Sequence, residues 1–342
     1  MSTAVHMGQQ RYESEILHAV KRLGPEAGWD VAQRLVSHFR DTTPGVHRYP
    51  GRLVHRAPLG VVRAVAMLTY GRPTLVHRLD LRLPAAAGRE VITIHDLPPL
   101  RFSDEGTLPS SAAEGARRAA GIICPSDFAA SEVKELLGVE RVWVIPYGLS
   151  DLYAGARPCP DADLAGLGIE RPFLMHTAGA SDRKNLVALA GAWAKLTPQF
   201  PKYSLVLCGP PDQRRNGLFD QLPRTRLMGT VSPITVASLM KVASAVVVPS
   251  IYEGFGLPAL EGMACGTPVI AVRAGALPEV CQDAALLVEP TVEGLTDGIA
   301  EVIGSSEAAD QLRRKGPRRA AAFTWERAAK AHVEVYDAAC GG

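Results

Sequence analysis

Ala245-Val-Val-Val-Pro-Ser-Ile-Tyr-Glu-Gly-Phe-Gly-Leu-Pro-Ala-Leu-Glu-Gly-Met-Ala-Cys-Gly-Thr-Pro-Val-Ile-Ala-Val272 decides how this chain folds. Its start is a short apolar run rich in β-branched residues, the pattern of a buried strand. Pro249-Ser250 ends the strand, and a loop with glycines at 254 and 256 follows. Pro258 stands where a helix has its first residue, a position that needs no N–H. Gly266 and Pro268 stop that helix, and Val269 to Val272 resume a strand. The unit is strand, glycine loop, helix, strand.

A helix N-terminus fed by a glycine loop presents unpaired N–H groups and partial positive charge, which suits a phosphate. Without side chains, Gly254 and Gly256 let a ligand approach the backbone. Glu253 lies just before the loop glycines and Glu261 early in the helix. A glutamate there repels a phosphate, a conflict that disappears if Glu261 grips a neutral diol beside it, such as a ribose. Glu253 can accept hydrogen bonds from sugar hydroxyls in the same way. Sugar, diphosphate and ribose in a row describe a nucleotide sugar.

Glu253 and Glu261, with seven residues between them, resemble the E-x7-E motif of retaining GT-B glycosyltransferases of the family 4 type. Pro-Ser before the pair, Gly-Phe-Gly-Leu-Pro within it and Cys-Gly-Thr-Pro-Val-Ile-Ala after it carry the resemblance. The resemblance implies an α/β GT-B fold, two Rossmann-like doubly wound domains facing a central cleft. It implies transfer of a sugar, with retention, from a nucleotide-diphospho-sugar to an acceptor hydroxyl. It places the donor on Gly254, Phe255, Gly256, Leu257 and Glu261, with Met228 and Gly229 where relatives hold the base through backbone groups.

Ser181-Asp-Arg-Lys-Asn185 reads as the turn between a strand and a helix, with Ser181 or Asp182 available as a cap. Arg183 and Lys184 can neutralise a diphosphate there, one as a fork and one as a point charge. The run is similar to the family's Arg-Lys-Asn-Leu, which makes both residues, with His95 and Glu253, catalytic candidates. The second arginine that many members carry earlier in this loop is absent from Thr177-Ala-Gly-Ala180. His95-Asp96 follows the clear strand Glu90-Val-Ile-Thr-Ile and resembles the family's acceptor-side His-Asp. Gly8-Gln-Gln-Arg-Tyr12 resembles the family's N-terminal glycine motif, with Gln10 in place of its second glycine and at most Thr3 to His6 as a first strand.

Strand-like runs alternate with helical ones along the rest of the chain, the pattern of parallel doubly wound sheets. Strands are expected at 52–57, 74–79, 120–124 and 141–148, then at 173–177, 203–208, 226–232 and 286–290. Helices are expected at 59–69, 184–196 and 234–243. Ile122-Ile-Cys-Pro-Ser126 echoes Val246-Val-Val-Pro-Ser250, as two similar halves would. The aperiodic stretch 155–163, with two prolines, reads as a linker. The domains are then 1–158, with helix 325–342 crossing back onto it as in the family, and 164–324.

A chain of 342 residues is long enough for two domains. Its formal charge of +2 gives no case for nucleic acid as a partner. The nine histidines and six cysteines form no zinc pattern. No metal or resident cofactor is expected, the nucleotide sugar being a co-substrate. Cys124, Cys208, Cys265 and Cys281 read as buried thiols, which fits a cytoplasmic protein. No signal peptide and no apolar run of about 18 residues is present in this sequence. The Arg-rich stretch 48–63 admits a peripheral contact at a cytoplasmic membrane face, which fits lipid-linked acceptors. Arg313-Arg-Lys315 and Arg318-Arg319 read as solvated surface. Donor base, sugar, acceptor and oligomeric state are left open. Two other readings remain, a GT-B scaffold that binds a nucleotide sugar without turnover and a nucleotide-sugar 2-epimerase.

Overall fold

The computed structural model describes residues 8–34, 36–38, 47–49 and 56–341. The chain divides into two compact units, Met1–Gly148 with Trp325–Gly342, and Leu149–Thr324. The division falls at 148/149, and the stretch 155–163 belongs to the second unit. There Pro160 opens a short helix at Asp161–Gly166 whose Leu164 is buried. One buried leucine in an otherwise polar run leaves no periodicity to read.

The first unit contains α1 (Gly8–Leu23), β1 (Val36–His38), β2 (His47–Tyr49), α2 (Leu59–Tyr70), β3 (Val76–Arg78) and β4 (Glu90–Thr93). It continues with α3 (Ala112–Arg118), β5 (Gly121–Cys124), α4 (Asp127–Leu137) and β6 (Val142–Val144). Strands β3 to β6 form a parallel sheet in chain order, while β1 and β2 pair with each other. Ile92, Ile94 and Leu97 pack with Ile122, Val133 and Leu137 as its core. Ser126 caps α4 by accepting from the Ala129 N–H at 3.0 Å. The first strand expected at 3–6 and most of that expected at 52–57 lie outside the described residues.

In the second unit, α5 (Asp151–Ala154) and α6 (Asp161–Gly166) lead into β7 (Phe173–Thr177), α7 (Leu186–Leu196), β8 (Ser204–Cys208) and α8 (Gln213–Phe219). Then come β9 (Thr225–Gly229), α9 (Pro233–Val242), β10 (Ala245–Val248), α10 (Leu257–Ala264) and β11 (Val269–Val272). The unit ends with α11 (Leu277–Cys281), β12 (Leu286–Val288), α12 (Val292–Gly304) and α13 (Ser306–Ala320). Its six parallel strands run β12-β11-β10-β7-β8-β9, the order of a Rossmann sheet. Strands β10 and β11 are buried on both faces, which is why their sequences are continuously apolar. The order reverses between β7 and β10, so the loops leaving those two strands flank the point where such sheets bind ligands.

The last helix, α14 (Trp325–Gly341), belongs to the first unit and packs on α1 and β4. All six cysteines are thiols, five of them buried. Burial pushes Cys124, Cys208, Cys265 and Cys281 up to about 12. Arg319, expected at the surface, instead donates to the Val280 and Glu279 carbonyls, both at 2.8 Å, and lies over Phe323.

Candidate functional site

The loop after β7 makes a single turn of 3-10 helix, Asp182–Lys184, before α7 begins. Ser181 stands at the N-cap of that turn without a side-chain cap bond. Asn185 takes a left-handed conformation, φ 52°, and its side-chain amide donates to the Pro290 carbonyl at 3.2 Å. That kink separates the cationic turn from the helix and turns Lys184 inward, where it is buried. The Ile251 N–H donates to the Arg183 carbonyl at 2.9 Å, tying this loop to the one that leaves β10.

Glu253 is where the two loops meet. Its Oε1 accepts from Lys184 Nζ at 2.7 Å, and its Oε2 lies 3.5 Å from an Arg183 nitrogen that also donates to the Tyr252 carbonyl at 3.3 Å. Lys184 and Glu253 are only 8% and 7% exposed. Burial works to raise the Glu253 carboxyl, but Lys184 and then Arg183 outweigh it and hold the group below its ordinary range. The carboxylate is therefore ionised inside a cluster whose formal charges sum to one positive, a ready place for a ligand's negative charge.

From Glu253 the chain passes through Gly254 and Phe255 to Gly256, which precedes α10 in a left-handed conformation, φ 99°. A Cβ on Gly256 would lie 2.7 Å from a Leu277 methyl, so position 256 takes only glycine. Leu257 is the first helical residue and Pro258 the second, one place later than the sequence reading put it. The Phe255 ring is buried edge-on against Phe323, centroids 5.6 Å apart, so at this position the loop can offer a ligand only backbone. Glu261 follows one turn into α10, 8% exposed. Met228 and Gly229 end β9, and the Gly229 carbonyl accepts from the Gly209 N–H at 2.9 Å.

Two buried bases in this unit were not singled out in the sequence. His176, in β7, sits beside Val247 of β10, Nδ1 3.0 Å from its carbonyl, and burial pulls it down to about 4. Arg215 donates to the Pro210 carbonyl at 3.1 Å and to the Ala178 carbonyl, bridging the loops after β8 and β7. Its neighbour Arg214 is exposed and pairs with Asp182 at 2.7 Å. In sequence the two arginines are alike. Only packing separates them.

His95 and Asp96 lie in the loop after β4 of the first unit. The His95 Nδ1 is hydrogen-bonded to the Tyr147 hydroxyl, and its ring packs edge-on to Tyr12 with centroids 4.8 Å apart. Burial lowers its pKa to about 4, so the imidazole is neutral at neutral pH. Gly8 is the first residue of α1. Among the described residues, no three His, Cys, Asp or Glu side chains group as metal ligands do.

The family model for glycosyl transferases group 1 matches residues 166–319, within the second unit. O-antigen chain mannosyltransferase B of Escherichia coli is 27% identical over 284 residues, 77% of this chain and 74% of that protein. A GDP-mannose-dependent α-(1-6)-phosphatidylinositol dimannoside mannosyltransferase of Mycobacterium tuberculosis is 29% identical over 316 residues, 85% and 80% of the two chains. Among solved structures, sucrose-phosphate synthase from Thermosynechococcus elongatus aligns with a TM-score of 0.73 at 24% identity, over 98% of this chain and 95% of that one. Anabaena HepE, solved in complex with UDP-glucose, aligns at 0.67 and 21% over 82% and 83%. With its Rossmann-ordered sheet, glycine-headed α10 and paired glutamates, the second unit carries a glycosyl transferases group 1 match over residues 166–319, and the chain is similar to glycosyltransferases of the GT-B fold.

Proposed function

We propose that the chain moves a hexosyl group from a nucleotide-diphospho-sugar to an acceptor hydroxyl with retention of configuration. The observation that carries this reading is the buried Lys184–Glu253–Arg183 cluster beside the Rossmann switch point, with Glu261 eight residues further along the same segment. A departing diphosphate gains negative charge as an oxocarbenium-like centre develops on the sugar. Lys184 and Arg183 answer that charge from fixed positions, without solvent reorganisation at the moment of reaction. Glu253, whose other oxygen faces Arg183, takes sugar hydroxyls. Glu261 takes the ribose diol, and Met228 with Gly229 meets the base through backbone groups. His95, with Asp96 and Gly8, serves the acceptor.

The retaining outcome rests on the resemblance of the Glu253–Glu261 segment to the family's motif. Attack on the face the diphosphate leaves, assisted by that phosphate, is the route that the Lys184 and Arg183 charges suit. Two relatives are mannosyltransferases and one of these depends on GDP-mannose by name, so GDP-mannose heads the donors to test. Transfer and donor hydrolysis across a panel of nucleotide sugars test the reading. Turnover with one donor, and a product of unchanged anomeric configuration, is expected. Binding without turnover would leave the scaffold reading, and release of a free 2-epimeric sugar would leave the epimerase.

The acceptor is a lipid-linked hydroxyl presented at a membrane face, in this reading. Support comes from α2, where Val61, Met67 and Leu68 are exposed, Leu68 at 86%, with the exposed Arg72 just beyond the helix. No helix among the described residues is long and apolar enough to cross a membrane. Sedimentation with anionic vesicles should carry the parent chain down and leave a Leu68→Glu variant in solution.

A further inference from the structure

Tyr12 of α1, His77 of β3, Thr93 of β4, and His332 and Tyr336 of α14 join in one hydrogen-bonded chain inside the first unit. The chain has a direction. The Ala328 carbonyl can only accept, so His332 Nδ1, 2.7 Å away, carries the proton and donates to it. A neutral His332 then has only a lone pair on Nε2, and the Tyr12 hydroxyl, 2.8 Å away, donates to it. That spends the one hydrogen of Tyr12, so its oxygen accepts from the Thr93 hydroxyl at 3.3 Å. Thr93 in turn accepts from His77 Nε2–H at 2.8 Å, and His77 Nδ1 accepts from the Tyr336 hydroxyl at 2.7 Å. Burial holds both imidazoles neutral, His332 at about 4 and His77 well below its ordinary value.

We propose that Tyr12 is a positioning residue for His95, its ring held at one angle by this one-way chain. Tyr12 is 1% exposed, and rotating it would strand the His332 lone pair and the Thr93 hydrogen at once. Its ring packs against His95, centroids 4.8 Å apart at 78°, and against Tyr147 at 4.6 Å. Tyr147 takes His95 Nδ1, and Tyr12 backs the ring, so the two tyrosines fix the direction in which Nε2 faces a substrate. The inference rests on the acceptor-side role proposed for His95. Its content is that a side chain without substrate contact sets where that nitrogen lies.

Two measurements on the full chain test it. Nitrogen-15 NMR of the histidines at pH 7.5, assigned by single replacements, should find His332 protonated on Nδ1 and His77 on Nε2, both neutral. The same tautomer in both rings, or a charged ring, would overturn the chain's direction. Tyr12→Phe keeps the ring and removes its hydroxyl. Its kcat should fall about tenfold, with donor KM within about twofold, because misplacing a reacting group costs rate rather than donor affinity. Thr93→Val, which breaks the chain one link away, should lower kcat in the same direction by less. A lowered Tm with parental kcat in both variants would make Tyr12 a packing residue only and sink the proposal. An inactive parent chain would instead defeat the proposed function first, and this inference with it.

Discussion

Lys184 Nζ lies 2.7 Å from Glu253 Oε1, and both side chains are buried. The two residues are 69 positions apart and reach each other because β7 and β10 are neighbours in the sheet. A buried ion pair adds little net stability, since desolvation of two charges offsets most of their attraction. Its persistence at the ligand-binding edge of a Rossmann sheet therefore points to work on a ligand.

Glu253 is held from behind by Gly275, which has φ 57° and leaves no room for a side chain. A Cβ there would lie 2.8 Å from the Glu253 nitrogen and 2.9 Å from its carbonyl oxygen. The Ala276 N–H also donates to that carbonyl at 3.0 Å. Gly275→Ala should cost roughly 1–2 kcal/mol from the left-handed backbone alone. Because the clash displaces Glu253, transfer should fall further than the Tm shift accounts for. Parental activity in a folded Gly275→Ala variant would contradict the placement.

Glu261→Ala should weaken the nucleoside diphosphate as much as the intact donor, because the ribose diol is common to both. Loss of a charge-assisted hydrogen bond costs about 1.5–3 kcal/mol. Calorimetry showing equal affinity for the nucleoside diphosphate in variant and parent would remove Glu261 from the site.

Turnover should survive a chelator. In the proposed site Arg183 and Lys184 answer the diphosphate charge in place of a divalent cation, and Lys184 is hydrogen-bonded to Glu253. Rates with EDTA should stay close to those without it. Complete loss in EDTA, restored by magnesium or manganese, would overturn the role given to the two cations.

The buried histidines make the fold acid-labile. His176 and His332 drop from an ordinary value of 6.5 to about 4, chiefly through burial. The unfolded chain binds these protons first, so the stability they protect is complete above pH 6.5 and lost as pH falls through 4. At about 1.4 kcal/mol per pK unit, each contributes about 3 kcal/mol to that loss. Glu253, held low by Lys184, adds to it below its ordinary range. Tm should fall steeply between pH 6.5 and 4, and a flat profile over that range would mean the two rings are not buried neutral.

The stretch 245–272 was legible because its strands are buried on both faces and its turn is written in glycine and proline. Both glutamates are read within it, while Arg183 and Lys184 come from the run 181–185 and the Rossmann alternation from the rest of the chain. Contacts decided by strand order did not show. Nothing local to Lys184 names Glu253 as its partner, nothing distinguishes Arg215 from Arg214, and Tyr12 meets His332 from 320 residues away. The kink at Asn185 was hidden too, since Ser181 reads as a helix cap, whereas it precedes a 3-10 turn without a side-chain cap bond. The echo between Ile122–Ser126 and Val246–Ser250 was real only as far as the strands. Ser126 caps a helix, whereas Ser250 opens the loop that carries Glu253.

The central claim is that Lys184 acts on the departing diphosphate and Glu253 on the sugar, and kinetics with calorimetry on Lys184→Ala and Glu253→Ala test it most directly. Lys184→Ala should lower kcat more than it raises donor KM, by on the order of 10²–10³ in rate. Glu253→Ala should keep its affinity for free nucleoside diphosphate and lose use of the intact donor. A Lys184→Ala enzyme altered only in KM would reduce the lysine to ordinary binding. Unchanged transfer and hydrolysis rates in both variants would contradict the account as a whole.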